Sequence, residues 1–312
     1  MAPTSLRQPD PMGTDVERHR AGLVAIIGRP NVGKSTLLNT LLEYKLAIVS
    51  PKPQTTRHQI LGVVSAAGYQ IAFLDTPGFM ARAGDVLDRR MLARARDSLE
   101  AADLVVLVVE PRRPGEIERR LVALLGSRGT PALLVINKVD GVKKETLLPV
   151  MEAYQRLHPF LEIVPVSALK RDGTGQLLSL IAANLSEGPP LYETDMLTDR
   201  PERFLAEELV REQLFLLYGQ EVPYDTAVEI EEFREAEEGS DAKDLIKVVV
   251  YVNKPSQRRI LVGAGGAALK EVGIAARREI EVVLGRPVYL ELWVRVRPDW
   301  RQDGPFLEEL GY

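Results

Sequence analysis

The residues Gly28-Arg29-Pro30-Asn31-Val32-Gly33-Lys34-Ser35 fit the pattern G-x-x-x-x-G-K-[ST] and leave this chain few ways to fold. Directly before them stands Leu23-Val24-Ala25-Ile26-Ile27, a short apolar run that reads as a buried strand. Directly after them, residues 34–43 carry a helical pattern. A strand, a glycine-bearing turn and a helix in that order turn backbone N–H groups toward an anion and set a helix N-terminus against it. Lys34 is expected to supply charge to the β and γ groups of a nucleotide. Ser35 is expected to offer its hydroxyl to Mg2+, with Thr36 completing the loop.

The rest of the first half agrees with that start. Apolar runs recur at 70–74, 104–109, 132–136 and 163–166, with helical patterns at 85–101, 116–125, 145–157 and 175–184. Strands alternating with helices give a mostly parallel sheet covered on both faces. Residues 60–65 and 69–74 are joined only by Ala66-Ala67-Gly68 and must pair antiparallel, because a parallel crossover needs a dozen or more residues.

A length of 312 residues fits two domains. Residues 1–20 are polar, proline-rich and aperiodic and read as a flexible leader. Residues 21–185 form the α/β unit, 186–200 a Pro-Pro-containing linker, and 201–312 a smaller α+β unit. In the last, a helix at 201–218, strands at 226–234 and 245–252, a short helix, a glycine cluster, a helix at 267–284 and a strand at 288–297 give the order αββααβ.

Composition removes other classes. The chain has no cysteine, which excludes disulfide scaffolds, thiolate–zinc sites and cysteine nucleophiles, and its three histidines leave little for a His-based metal centre. No run of about 18 apolar residues is present, and the N-terminus lacks the apolar middle of a signal peptide, so a cytoplasmic location is expected. The net charge of −4 argues against nucleic-acid binding only on average, since a mean hides local patches.

Three further segments choose the base. Asp75-Thr76-Pro77-Gly78 ends an apolar run, where Asp75 is placed for the Mg2+ shell and the Gly78 N–H for the γ-phosphate. In Asn137-Lys138-Val139-Asp140, the Asp140 carboxylate suits the N1–H and N2–H2 donors of guanine. Adenine offers neither and would leave that charge unpaired, at a cost of about 2–5 kcal/mol. Lys138 is placed along the base plane, and Ser167-Ala168 brings the Ala168 N–H against guanine O6. With all these motifs in order over about residues 22–185, the chain resembles the Ras-like, translation-factor-related GTPases. The resemblance implies GTP and GDP as ligands, with Mg2+ held by Ser35, Asp75 and a threonine.

That threonine lies in Gln54-Thr55-Thr56-Arg57-His58, a stretch broken upstream by Pro51 and Pro53. The residues alone do not separate Thr55 from Thr56; the resemblance favours Thr56. Phe79 stands where many such enzymes have the glutamine that orients water, which implies slow intrinsic turnover. Three alternatives remain for supplying positive charge: a potassium ion held by Asn31, as the resemblance implies; Arg57 as an internal finger; or an RNA-induced group. Asn31 as a simple loop cap is the plainer reading. The catalytic set is thus Lys34, Asn31, Thr56 and Gly78.

In the second half, Gly263-Ala264-Gly265-Gly266 forms a G-x-x-G turn between two helical segments. Such glycines let backbone approach a sugar–phosphate strand. Between Lys254 and Arg301 ten basic residues face five acidic ones, whereas 229–244 is strongly acidic and reads as a solvated hairpin pointing away from RNA. Arg258, Arg259, Lys270 and Arg277 are the expected RNA contacts beside the turn. The αββααβ order resembles the type II KH fold, and the Ser256-Gln257…Ile260…Gly263–Lys270 run, with the G domain before it, resembles the Era family of ribosome-assembly GTPases. That family resemblance implies a monomer that binds 16S ribosomal RNA near its 3′ end, acts in 30S subunit maturation and associates peripherally with the inner face of the cell membrane. Ala264 departs from it, standing where the family usually has lysine. A tRNA-modification GTPase would need a C-terminal cysteine and a tandem-G-domain factor a second P-loop; neither occurs. An RNA-binding switch that holds GTP without hydrolysing it is the remaining alternative.

Overall fold

A computed structural model describes residues 19–79, 84–219, 221–237 and 242–312. The first unit runs β1 (Arg20–Ile27), α1 (Lys34–Leu42), β2 (Ile60–Ala66), β3 (Tyr69–Asp75), α2 (Val86–Ala101), β4 (Leu104–Val109), α3 (Glu116–Arg128), β5 (Ala132–Ile136), α4 (Leu147–Gln155), β6 (Ile163–Pro165) and α5 (Thr174–Ala183). Its sheet has the order β2-β3-β1-β4-β5-β6, parallel throughout except for the β2–β3 hairpin. Every residue of β4 and β5 is buried, because α1 and α5 cover one face while α2, α3 and α4 cover the other. Double coverage is why these strands read as unbroken apolar runs. The parallel strands end at the edge that bears the sequence motifs.

The expected leader ends too late. Arg20 opens β1, where its N–H donates to Gly68 O at 3.0 Å and its guanidinium to Ala183 O and Leu185 O at 2.6 and 2.9 Å. A charged side chain at a strand end hides the strand from a pattern reading. His19 is joined to Gly188 by its backbone carbonyl, which accepts the Gly188 N–H at 3.0 Å, and residues 1–18 of the expected leader lie outside the described residues.

Residues 186–200 are laid against the first unit. Gln70, wholly buried, accepts from the N–H groups of Leu191 and Tyr192 at 2.7 and 2.9 Å and donates to Tyr192 O at 2.9 Å. Leu197 O takes the Val63 N–H, and Thr198 Oγ1 donates to Leu61 O. The connector thus caps the open edge of β2, a position that would otherwise invite pairing with another chain.

The second unit runs α6 (Glu202–Leu217), β7 (Thr226–Arg234), β8 (Asp244–Val252), α7 (Pro255–Val262), α8 (Ala267–Leu284), β9 (Val288–Val296) and α9 (Gly304–Glu309). Its sheet order is β7-β8-β9, with β8–β9 parallel. Helices α6, α7 and α8 bury their apolar stripes on one face. The other face meets α2 through a short turn at Trp300–Gln302 and α9, which the sequence reading left unassigned. There Leu87 and Met91 of α2 pack with Ala227, Val249, Trp300, Phe306 and Leu310. Arg301 bonds Asp85 and Asp88 at 2.5 and 3.2 Å, and Arg90 reaches Tyr312 O at 2.8 Å.

Trp300 is fully buried at this junction and donates its Nε1–H to Asp225 O at 3.0 Å. Trp300→Ala removes that packing and bond together and is expected to cost about 3–5 kcal/mol in urea unfolding.

Candidate functional site

The loop after β1 encloses one end of a cavity of about 610 Å3, lined on one side by Asn31, Gly33, Lys34, Ser35 and Thr36 and on the other by Asn137, Lys138, Asp140 and Ala168. Gly33 has φ +95°, and a Cβ there would stand 2.3 Å from Asn137 Nδ2. That contact is structural: Asn137 donates to Val32 O at 2.9 Å and accepts from the Ala168 N–H at 3.0 Å, so one buried amide joins the phosphate loop to both loops at the base end. The Ala168 N–H, expected to face guanine O6, is taken up by this bond. Lys138 crosses the P-loop and donates to Asn31 O and Glu110 at 2.6 and 2.7 Å. Asp140 accepts from Ser167 Oγ at 2.6 Å, and that bond holds its carboxyl below the usual range.

Lys34 is buried, with Nζ donating to Gly28 O and Arg29 O at 3.3 and 3.0 Å. Burial lowers its pKa to about 8, against the opposing pull of Asp75. Burial likewise pushes Asp75 up to about 6, with Lys34 and the Ser35 hydrogen bond pulling the other way. Ser35 Oγ donates to Asp75 Oδ2 at 2.8 Å and lies 2.8 Å from Thr56 Oγ1. Asp75 Oδ1 is buried with no partner among the described residues. Three oxygen donors and an orphaned carboxylate oxygen make a donor set suited to a hard divalent cation. Thr55 is separated from Thr56 here, because its hydroxyl donates to Lys52 O at 2.8 Å.

Other expected residues serve the frame. The Arg29 side chain leaves the cavity for Glu118, at 3.4 Å. Val32 is buried in the core, and Thr76 Oγ1 donates to Ile26 O at 2.9 Å. Gly28, Pro77 and Ser167 also fall outside the lining, whereas Pro30 and Gly78 belong to it, packed so that a Cβ on Gly78 would meet Pro30 at 2.7 Å. Asn31 Nδ2 donates to Pro51 O at 2.7 Å, which ties the P-loop to the segment carrying Thr56. Phe79 is half-buried and packs against the apolar cluster under α2, α3 and α4. Arg57 is no finger: it is 1% exposed and spends its guanidinium on carbonyls of the second unit, which solvate a charge that would be costly beside no acceptor. The sequence reading missed Ile48, Val49, Ser50, Pro51, Gln54, Gly141 and Leu169 of the lining; the apolar Ile48-Val49 pair was the one signal for that wall.

A second cavity, about 430 Å3, runs between α8 and β9. Of the expected contacts it gathers Gly266, Lys270 and Arg277, and adds Lys243, Leu269 and Tyr289. Gly263, Ala264 and Gly265 form the turn at its head, where Gly265 has φ +57° and open space at its Cβ position. The charge reading needs correction. Arg286, Arg295, Arg297 and Arg301 pair with Glu202 and Asp244, Glu231, Asp303, and Asp85, respectively, and Arg277 with Glu281. Lys254, Arg258, Arg259, Lys270 and Arg278 have no ion-pair partner among the described residues; the first four lie on, or at the start of, the two helices that flank the G-x-x-G turn, and Arg278 lies further along α8. The acidic stretch belongs to the antiparallel β7–β8 hairpin, with Glu231 and Glu232 at its surface paired to Arg295 and Lys247 and Asp244 buried against Arg286; the part expected to point away from RNA includes Lys243, which lines the groove. Residues 238–241 of that stretch lie outside the described residues.

A family model described as 50S ribosome-binding GTPase matches residues 23–138, and a KH domain model matches 221–301. GTPase Era of Geotalea daltonii is 46% identical over 297 residues, spanning 95% of this chain and 99% of that protein. The chain belongs to the GTPase Era family. GTPase Era of Lactobacillus delbrueckii subsp. bulgaricus is 43% identical over 95% of this chain and 97% of its own. A single-residue variant of Aquifex aeolicus Era bound to GDP·AlF4− superposes with a TM-score of 0.89 at 41% identity, covering 94% of this chain and 99% of that one. Era in complex with MgGDPNP and nucleotides 1506–1542 of 16S ribosomal RNA gives 0.90 at 41% identity with the same coverage.

Gly33→Ala drives a methyl into Asn137 from a left-handed backbone. Strain of about 1–3 kcal/mol, relieved only by moving Asn137 and the loop it holds, is expected to weaken guanine-nucleotide binding about tenfold or more in a fluorescence titration.

Proposed function

We propose that this Era-family GTPase hydrolyses GTP in the cavity between its P-loop and Asp140 and binds 16S ribosomal RNA in the groove between α8 and β9. One observation carries the nucleotide reading: a buried lysine at one end of a single cavity and, at the other, a carboxylate whose second oxygen is left for a base edge. In this reading Gly28–Thr36 wrap the phosphates, and Lys34 exchanges its loop carbonyls for phosphate oxygens. Asp140 pairs with guanine N1–H and N2–H2, with Lys138 along the base. Ser35, Thr56 and Asp75 hold Mg2+, which when bound supplies positive charge to the transferring phosphoryl group. Gly78 offers its N–H toward the γ-phosphate.

Phe79, half-buried against the core, has no group that can hydrogen-bond water, which supports slow intrinsic turnover. With its amide nitrogen on Pro51 O, Asn31 keeps its oxygen for a potassium ion beside the phosphates, and potassium-stimulated hydrolysis is part of the proposal. Asp140→Asn is expected to move base preference from GTP toward xanthosine triphosphate by about 100-fold in competition binding, because the amide presents a donor to the purine edge where the carboxylate accepted.

For the RNA groove, Lys270 and Lys243 supply charge along a channel whose floor is apolar, Arg277 lines it while paired with Glu281, and the Gly263–Gly266 turn lets a sugar–phosphate strand come close. Arg258 and Arg259 add exposed charge on the adjacent α7. Gly265→Asp sets a carboxylate into that open approach. It is expected to lower affinity for a single-stranded RNA oligonucleotide about tenfold or more in a filter-binding assay at fixed salt, with GTP binding kept.

By the family reading, the RNA segment lies near the 3′ end of 16S ribosomal RNA, the role is in 30S subunit maturation, and the protein works as a cytoplasmic monomer with peripheral contact at the inner face of the cell membrane. Among the described residues no helix is long and apolar enough to cross a membrane.

A further inference from the structure

The segment between α1 and β2, which carries Thr56, is fastened to the second unit at four points. Lys45 Nζ bridges Glu212 of α6 at 2.7 Å and Glu279 of α8 at 2.6 Å. The Val49 N–H donates to the other Glu212 oxygen at 2.9 Å. Lys52 Nζ donates to Phe215 O and Tyr218 O at the C-terminal end of α6, where exposed carbonyls concentrate negative potential. Arg57 donates to Thr226 O, Tyr224 O and Pro223 O at 2.7, 2.9 and 3.3 Å, with its guanidinium facing the rings of Phe215 and Trp300.

Arg57 is the most telling of these. Its fully buried guanidinium faces carbonyls, aromatic rings and Tyr312, all from the far side of the domain junction, so those acceptors must be well placed to offset the desolvation. It also lies one residue from Thr56, whose hydroxyl stands 2.8 Å from Ser35 Oγ. A free loop would lose about 1–2 kcal/mol of backbone entropy per residue each time it closed on nucleotide. Here the second unit has already ordered the loop, and Thr56 stands in place.

We propose that Arg57 and Glu212 are positioning residues for nucleotide: through them the RNA-binding unit holds Thr56 at the Mg2+ position, so the triphosphate-bound state of the G domain depends on contacts made by the other domain. This rests on the guanine-nucleotide reading above. Neither residue lines the cavity, and a diphosphate has no γ-phosphate for the loop to close on.

The test compares Mg2+-dependent affinities of the full chain for a non-hydrolysable GTP analogue and for GDP, by fluorescent-nucleotide titration, in wild type, Arg57→Gln and Glu212→Ala. Each variant is expected to lose about fivefold or more in affinity for the analogue and to stay within about twofold for GDP. GTP turnover is expected to fall in parallel, and the Mg2+ concentration for half-maximal turnover to rise. Glu212 lies on α6 and reaches the loop only through Lys45 and the Val49 N–H, so it carries the test by itself if Arg57→Gln does not fold. Analogue affinity within about twofold of wild type in the folded variants, or a parallel loss for analogue and GDP, overturns the proposal. Wild-type protein that binds ADP as tightly as GDP overturns the guanine reading instead.

Discussion

Two opposite charges taken out of water at the end of β3 set the terms for the G domain. Asp75 and Lys34 are both buried, and burial moves each toward its neutral form. Ser35 satisfies one carboxylate oxygen and leaves the other bare, while Lys34 falls back on carbonyls of its own loop. Such a pair is poor material for stability, because desolvation offsets most of the attraction. It suits a ligand that brings a cation for the carboxylate and an anion for the lysine. The sheet around it, buried on both faces, is what keeps water from doing that work.

Much of this was legible in the sequence because the informative residues act locally. The P-loop, the strands bearing Asp75 and Asn137, and the antiparallel hairpin follow from apolar runs and short connections. What was not legible depends on partners far along the chain. Thr55 and Thr56 are equivalent as letters, and only the Lys52 carbonyl under one and Ser35 beside the other separate them. Arg57 looked available for catalysis because nothing near it in sequence accounts for its charge; its acceptors lie about 170 positions away, at Pro223, Tyr224 and Thr226.

Ten basic residues counted along 254–301 suggested a broad positive surface, yet half are paired with acids: Arg286, Arg295 and Arg301 with acids from distant parts of the chain, Arg277 and Arg297 with Glu281 and Asp303 close by. The remaining charge is narrower and better aimed. Helix α9 escaped notice because six residues carry too little periodicity to read, and its apolar positions make sense only against α2.

The connector has a consequence for motion. With Leu191, Tyr192 and Leu197 hydrogen-bonded to β2 and β3, and Arg200 donating to Gln59 O at 2.5 Å, almost none of its length is slack. The second domain is therefore mounted on a short axle rather than a leash. Any reorientation of the second domain would then hinge close to Arg200 and trade one set of interfacial contacts for another.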